Sequence, residues 1–140
     1  MRLLRPCETA GSLEAIDYGR LYAAGKRAIL FDLDNTLGKR RSNELAPRVK
    51  RLLGELARMG FRVGILTNRR WVRNDPVIEA LSAAYPLRHR AGKPGKKGFL
   101  DLLTELDVPP ERAVMIGDRI LTDIIGANRL GIYSVRIQSG

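Results

Sequence analysis

At 140 residues, with 44% hydrophobic and 29% charged positions, the chain is expected to fold as one domain over residues 1–140 and is too short for two. Its single cysteine, Cys7, and single histidine, His89, exclude an internal disulfide and a zinc site of cysteine and histidine ligands, so any metal must be held by carboxylates. A formal charge of +10 favours anionic partners such as nucleic acid, anionic lipid or phosphorylated metabolites. No apolar run approaches the ~20 residues of a membrane span, and the first residues lack the apolar segment of a secretory signal, so a cytoplasmic protein is the expectation.

In chain order, residues 1–26 are expected to form a helical extension packed on the core. Ala28–Phe31 reads as a strand ending abruptly in acidic residues. Ala46–Met59 carries Val49, Leu52, Leu53 and Leu56 at helical spacing, with Gly60 just past its end. Phe61–Leu66 is a second strand, closed by Thr67-Asn68. A helix over Val77–Ala84 begins near Asp75-Pro76, and a short third strand near Leu87–His89 leads into a Gly/Lys-rich loop. Phe99, Leu102, Leu103 and Leu106 mark another helix, stopped before Pro109-Pro110. Ala113–Ile116 is a fourth strand, a short helix covers Leu121–Asn128, and Ile132–Ile137 is the last strand.

Alternating strands and helices predict an α/β fold: a Rossmann-like domain with a mostly parallel, five-stranded sheet flanked by helices. Ligands in such sheets bind at the carboxyl ends of the strands. The polar clusters fall there: Asp32-Leu33-Asp34 after the first strand, Thr67-Asn68 after the second, Lys93 beyond the third, Gly117-Asp118 and then Asp123 after the fourth.

Carboxylates gathered from different strand ends repel one another unless a cation or a proton lies between them. With neither His nor Cys in the set, the oxygen ligands suit a hard ion, and Mg²⁺ fits best. The competing reading is that these aspartates cap the helices that follow; it serves for Asp123 alone and poorly for all of them together. Thr67, Asn68 and Lys93 are each weak signals of a phosphate cradle, and gain weight from their company. A Ser-His-Asp mechanism would rest on His89 alone, between Arg88 and Arg90, where neighbouring cations disfavour imidazolium.

The order Asp-x-Asp-x-Thr, then Thr-Asn, then Lys, then Gly-Asp-x₄-Asp resembles the haloacid dehalogenase-like phosphohydrolase superfamily. Asp32–Leu37, Lys93-Pro94 and Ile116–Asp123 are similar to its small YqeG-like group, related to phosphatidylglycerophosphate phosphatases. The resemblance implies a magnesium-dependent phosphatase. Asp32 would attack phosphorus and carry an aspartyl-phosphate, and Asp34 would act as acid and then base. Mg²⁺ would sit on Asp32, the Asp34 carbonyl and Asp118, with Asp123 in support. Thr67, the Asn68 backbone and Lys93 would hold the transferring oxygens. Lys96 and Lys97 stand close enough in sequence to share the role of Lys93.

The stretches after the first two strands leave no room for a cap domain, which predicts an open site. Capless relatives act on large or surface-bound substrates, or borrow a lid from a partner subunit, so a homo-oligomer is compatible with this layout. Lys39, Arg40, Arg41, Arg69, Arg70, Arg73, Arg88, Arg90, Lys93, Lys96 and Lys97 all follow strand ends and would form a basic rim around the site. The leading substrate is therefore a phosphorylated, anionic lipid headgroup such as phosphatidylglycerophosphate, met by peripheral contact with an anionic membrane. A soluble sugar phosphate or a nucleic-acid terminal phosphate is the alternative, and a non-catalytic anion binder ranks last. Few aromatic residues are available for base stacking, which argues against nucleic acid. Trp71 is read as packing the start of a helix, with a lipid-interface or substrate contact as the other option.

Overall fold

A computed structural model describes residues 2–39, 42–70 and 72–138; Arg40, Arg41 and Trp71 lie outside the described residues. The elements are β1 (Glu8–Ala10), α1 (Tyr18–Ala23), β2 (Ala28–Phe31), α2 (Pro47–Met59), β3 (Arg62–Leu66), α3 (Pro76–Ala84), β4 (Leu87–Arg88), α4 (Lys96–Leu106), β5 (Ala113–Gly117), α5 (Ile125–Leu130) and β6 (Tyr133–Ile137). All strand pairs are parallel, in the order β1-β6-β5-β2-β3-β4.

The class is the expected one, but the sheet has six strands rather than five. The additional strand, β1, lies within the segment read as helical. Glu8, Thr9 and Ala10 pair with Val135, Arg136 and Ile137 at the sheet edge. Three residues of mixed polarity carry no readable alternation, so only the partner strand identifies them as a strand.

Every residue of β2 and β5 is buried, as expected for central parallel strands covered on both faces. Alternate side chains go to opposite layers. Ile29, Phe31, Val114 and Ile116 pack toward α2 and α3, while Ala28, Leu30, Ala113 and Met115 pack toward α4 and α5. Helix α2 starts at Pro47, buries Val49, Leu53 and Leu56, and stops at Gly60, whose φ of 107° is the left-handed cap glycine favours. The helix expected over Leu121–Asn128 is split: a π-turn covers Ile120–Ile124 before α5 begins.

From β2 the chain moves outward through β3 to β4, then returns to the other side of β2 as β5. The strand order thus reverses at β2 and β5, and the crevice outside their carboxyl ends is where a ligand is expected.

Candidate active site

The backbone N–H of Asp32 donates to the Ile116 carbonyl at 2.9 Å. The β2–β5 ladder therefore runs one residue past Phe31 and carries Asp32 to the level of Gly117 and Asp118. Beyond Asp32 the chain folds back on itself. The amides of Thr36, Leu37 and Gly38 all donate to the Leu33 carbonyl, and Asn35 takes a left-handed φ of 64° that its short polar side chain tolerates. Leu33 and Leu37, both 2% exposed, pin this turn into the core.

Lys93 reaches the site from the β4–α4 connection, and its main chain is clamped by Asn68. The Asn68 side-chain amide donates to the Lys93 carbonyl at 3.1 Å, and Asn68 Oδ1 accepts from the Lys93 N–H at 2.8 Å. The ammonium donates to Asp32 Oδ1 at 2.8 Å, Asp123 Oδ1 at 2.7 Å and the Leu66 carbonyl at 2.7 Å. Its three hydrogens are matched to three acceptors, so this lysine is buried and fully used in holding two carboxylates, and it does not join the basic rim in which its sequence position places it.

The π-turn brings Asp123 into place. The Arg119 carbonyl accepts from the N–H groups of both Asp123 and Ile124, and the Arg119 N–H donates to Asp123 Oδ2 at 3.3 Å. A Cβ on Gly117 would collide with the Asp123 carboxylate, so that position must be glycine for Asp123 to lie against β5. Turns of this kind recur at functional sites.

Asp32, Asp118 and Asp123 each offer a carboxylate oxygen, and these atoms lie within 4.8 Å of one another. Asp118 Oδ1 is buried and has no hydrogen-bond partner among the described residues. Burial pushes the Asp32 carboxyl up to about 6 against the pull of Lys93, and the Asp123 charge adds to the rise. Asp118 is raised as well, by burial first and by Asp123 second. The cluster thus holds more negative charge than its surroundings solvate, with an unused oxygen on Asp118. An all-oxygen set of this kind fits Mg²⁺.

An open cleft of about 570 Å³ is lined by Asp32, Asp34, Thr67, Asn68 and Lys93, together with Arg69, Arg70, Asp75, Arg119 and Thr122. Thr67 is buried at the end of β3; its N–H donates to the Arg88 carbonyl, and its hydroxyl oxygen accepts the Arg69 N–H at 3.1 Å. The seven residues singled out from the sequence are all placed here: five line the cleft, and Asp118 and Asp123 join Asp32 in the carboxylate cluster.

Arg69 has a different setting from the one expected of it. Its place after β3 groups it with the basic rim, yet its guanidinium donates to Asp34 Oδ1 and, at 2.5 Å, to Asp75 Oδ2. In the sequence Asp75 marks only the start of α3, and it does cap that helix, accepting from the N–H groups of Val77 and Ile78. The rim is thinner for the same reason elsewhere: Arg88 pairs with Glu105 and Lys97 with Asp101. Lys39, Arg70, Arg73, Arg90 and Lys96 have no carboxylate partner among the described residues; of these only Arg70 lines the cleft, beside Arg119, which also has none. The arrangement combines a buried carboxylate at a strand end, a cation-ready trio, and a second carboxylate held to one side by an arginine. Those are parts suited to displacement at phosphorus.

The sequence pattern of the haloacid dehalogenase-like hydrolases matches residues 38–131. The chain is 34% identical over 144 residues to phosphatidylglycerophosphate phosphatase 1, chloroplastic, of Chlamydomonas reinhardtii, covering 97% of this chain and 53% of that protein. It is 30% identical over 132 residues to the probable phosphatase YqeG of Bacillus subtilis (strain 168), covering 94% of this chain and 76% of the other. The chain thus spans about half the length of the algal relative and three quarters of the bacterial one. Among solved structures, a HAD phosphatase from Thermococcus onnurineus superposes with a TM-score of 0.68 at 20% identity, covering 80% of this chain and 86% of that one; at that identity it speaks to the fold. The chain belongs to the haloacid dehalogenase-like hydrolase family. Within that family, the two sequence relatives named above are both called phosphatases.

Proposed function

We propose that this chain is a Mg²⁺-dependent phosphatase that cleaves a phosphate monoester through an aspartyl-phosphate on Asp32. The observation that carries the reading is the seat of Asp32: buried at a strand end, on the cleft, with Lys93 on one oxygen and Asp118 and Asp123 beside it. Bound on Asp32, the Asp34 carbonyl, Asp118 and Asp123, Mg²⁺ would supply the positive charge that lets a carboxylate approach a phosphate dianion.

The chain's own residues do the rest. Lys93 occupies Asp32 Oδ1, which leaves the other oxygen for phosphorus. As that oxygen bonds to phosphorus, the bond to the leaving oxygen breaks, and Asp34 gives the leaving oxygen its proton. Asp34 then takes a proton from the water that attacks phosphorus, and phosphate departs from Asp32. The Thr67 hydroxyl accepts the Arg69 N–H, so its own hydrogen is free for a phosphoryl oxygen. Backbone at Asn68 offers a second donor, and Lys93 offsets charge behind the nucleophile.

The substrate we infer is an anionic lipid headgroup of the phosphatidylglycerophosphate type. The name of the algal relative, the open cleft and the unpaired Arg70 and Arg119 at its lining support this. No helix among the described residues is long and apolar enough to cross a membrane, so the contact we infer with the lipid surface is peripheral.

The test is turnover of p-nitrophenyl phosphate with and without Mg²⁺, in wild type and Asp32→Asn, followed by phosphatidylglycerophosphate in vesicles and a sugar phosphate in solution. Magnesium-dependent turnover that vanishes in Asp32→Asn is expected, with the lipid preferred. Equal turnover in the two proteins would remove Asp32 as nucleophile, and preference for the sugar phosphate would move the substrate to the soluble class.

A further inference from the structure

Arg69 is held on every side. Its N–H donates to Thr67 Oγ1 at 3.1 Å and its carbonyl accepts from the Arg90 N–H at 2.9 Å. One terminal nitrogen donates to Asp34 Oδ1 and the other to Asp75 Oδ2 at 2.5 Å. Asp75 is itself fixed, because its Oδ1 accepts the N–H groups of Val77 at 3.0 Å and Ile78 at 3.1 Å. The side chains of Arg69, Asp34 and Asp75 are 16%, 24% and 18% exposed, sheltered enough that solvent screens their attraction only weakly. A guanidinium is a rigid planar fork, so the first turn of α3 sets the orientation of the fork and the fork sets that of Asp34. The consequence shows in the carboxylates. Asp32, Asp118 and Asp123 converge, whereas Asp34, two residues from Asp32, is drawn to Arg69 instead.

We propose that Arg69 is a positioning residue: anchored by Asp75, it holds the Asp34 carboxyl group apart from the cation cluster, in the place from which it serves the leaving oxygen. This rests on Asp34 being the proton donor, as read above. An arginine that merely ties the β3 end to α3 would have no such effect on chemistry, and leaving-group dependence separates the two roles. A p-nitrophenolate departs without a proton, but the alkoxide of glycerol phosphate needs one.

The experiment measures kcat and KM on both esters for Asp34→Asn, Arg69→Ala, Arg69→Lys and Asp75→Asn, with thermal unfolding alongside. Asp34→Asn is expected to lose about 10²–10⁴-fold in kcat on glycerol phosphate and far less on p-nitrophenyl phosphate, the scale of a general acid. Arg69→Ala should show the same bias at about tenfold, with KM near wild type and p-nitrophenyl phosphate within about threefold. Arg69→Lys, which keeps the charge and loses the fork, should fall between. Asp75→Asn retains a capping side chain, so it should repeat the bias in milder form with an unchanged melting temperature. In an Asp34→Asn background, Arg69→Ala should cost nothing further. Equal losses on both esters, or a rise confined to KM, in the Arg69 and Asp75 variants would overturn the positioning role while Asp34→Asn keeps its bias. No bias in Asp34→Asn itself would overturn the proton-donor reading, and the positioning role with it.

Discussion

The Lys93 ammonium lies 2.8 Å from Asp32 Oδ1, and only 2% of the lysine side chain reaches solvent. The same nitrogen bridges to Asp123, which is wholly buried. Two buried carboxylates therefore share one counter-charge, and removing it leaves them facing each other uncompensated. Lys93→Met is predicted to cost about 3–5 kcal/mol of stability near neutral pH, the usual result of deleting one partner of a buried ion pair. Urea unfolding reads this directly. A loss below about 1 kcal/mol would mean that the lysine's desolvation had cancelled its attraction.

Protons and Mg²⁺ should compete at the carboxylate trio. Burial raises Asp32 from 3.8 to about 6, so between those values the folded protein keeps a proton that the unfolded chain has released. The stabilising contribution is complete below 3.8 and is lost as the pH rises through about 6. Asp118 shifts in the same direction. Metal-free wild type should therefore lose stability as the pH rises from about 4 to about 6, relative to Asp32→Asn, and change little above that. Mg²⁺ needs the ionised carboxylate, so its effect on the melting temperature should be large at about pH 7.5 and small at about pH 5. An equal Mg²⁺ effect at both pH values would take Asp32 out of the cation site.

Gly117 has no room for a side chain, because the Asp123 carboxylate occupies the place of a Cβ. Asp123 is fully buried and tied to Lys93 and to the Arg119 N–H, so it cannot yield easily. Gly117→Ala is predicted to destabilise by about 1–3 kcal/mol, as overpacking does, and to abolish the Mg²⁺-induced rise in melting temperature. Calorimetry with and without Mg²⁺ checks both parts. A variant that still responds to Mg²⁺ would show that the cation does without Asp123.

The thinned basic rim makes a graded prediction about lipid surfaces. Arg70 and Arg119 line the cleft without carboxylate partners among the described residues, whereas Arg88 is paired with Glu105. Each unpaired arginine near an anionic surface contributes about 1 kcal/mol. Arg70→Ala and Arg119→Ala should each weaken co-sedimentation with vesicles rich in anionic lipid by about fivefold at low salt, while Arg88→Ala should change it little. Binding that ignores anionic lipid content would remove the membrane as the place of contact.

Much of this protein was legible in the sequence because its signals are local. Four-residue apolar β2 followed at once by Asp32, the helical spacing of Val49, Leu53 and Leu56 before Gly60, and the acidic residues after β5 need no knowledge of distant neighbours. Rules for parallel sheets then send Asp32, Thr67, Lys93 and Asp118 to one edge. What the tertiary structure alone decided depends on partners far apart in the chain. Glu8–Ala10 is a strand because β6 offers it an edge. Lys93 is buried between Asp32 and Asp123 rather than free on a loop, since Asn68 clamps its backbone and three acceptors converge on its nitrogen. Arg69 turned from rim to clamp because α3 places Asp75 on one side of it and the turn after β2 places Asp34 on the other. Residue type and spacing specify which charges a chain carries, but only the folded backbone determines which of them meet, and a charge that has met its partner is no longer available to a surface.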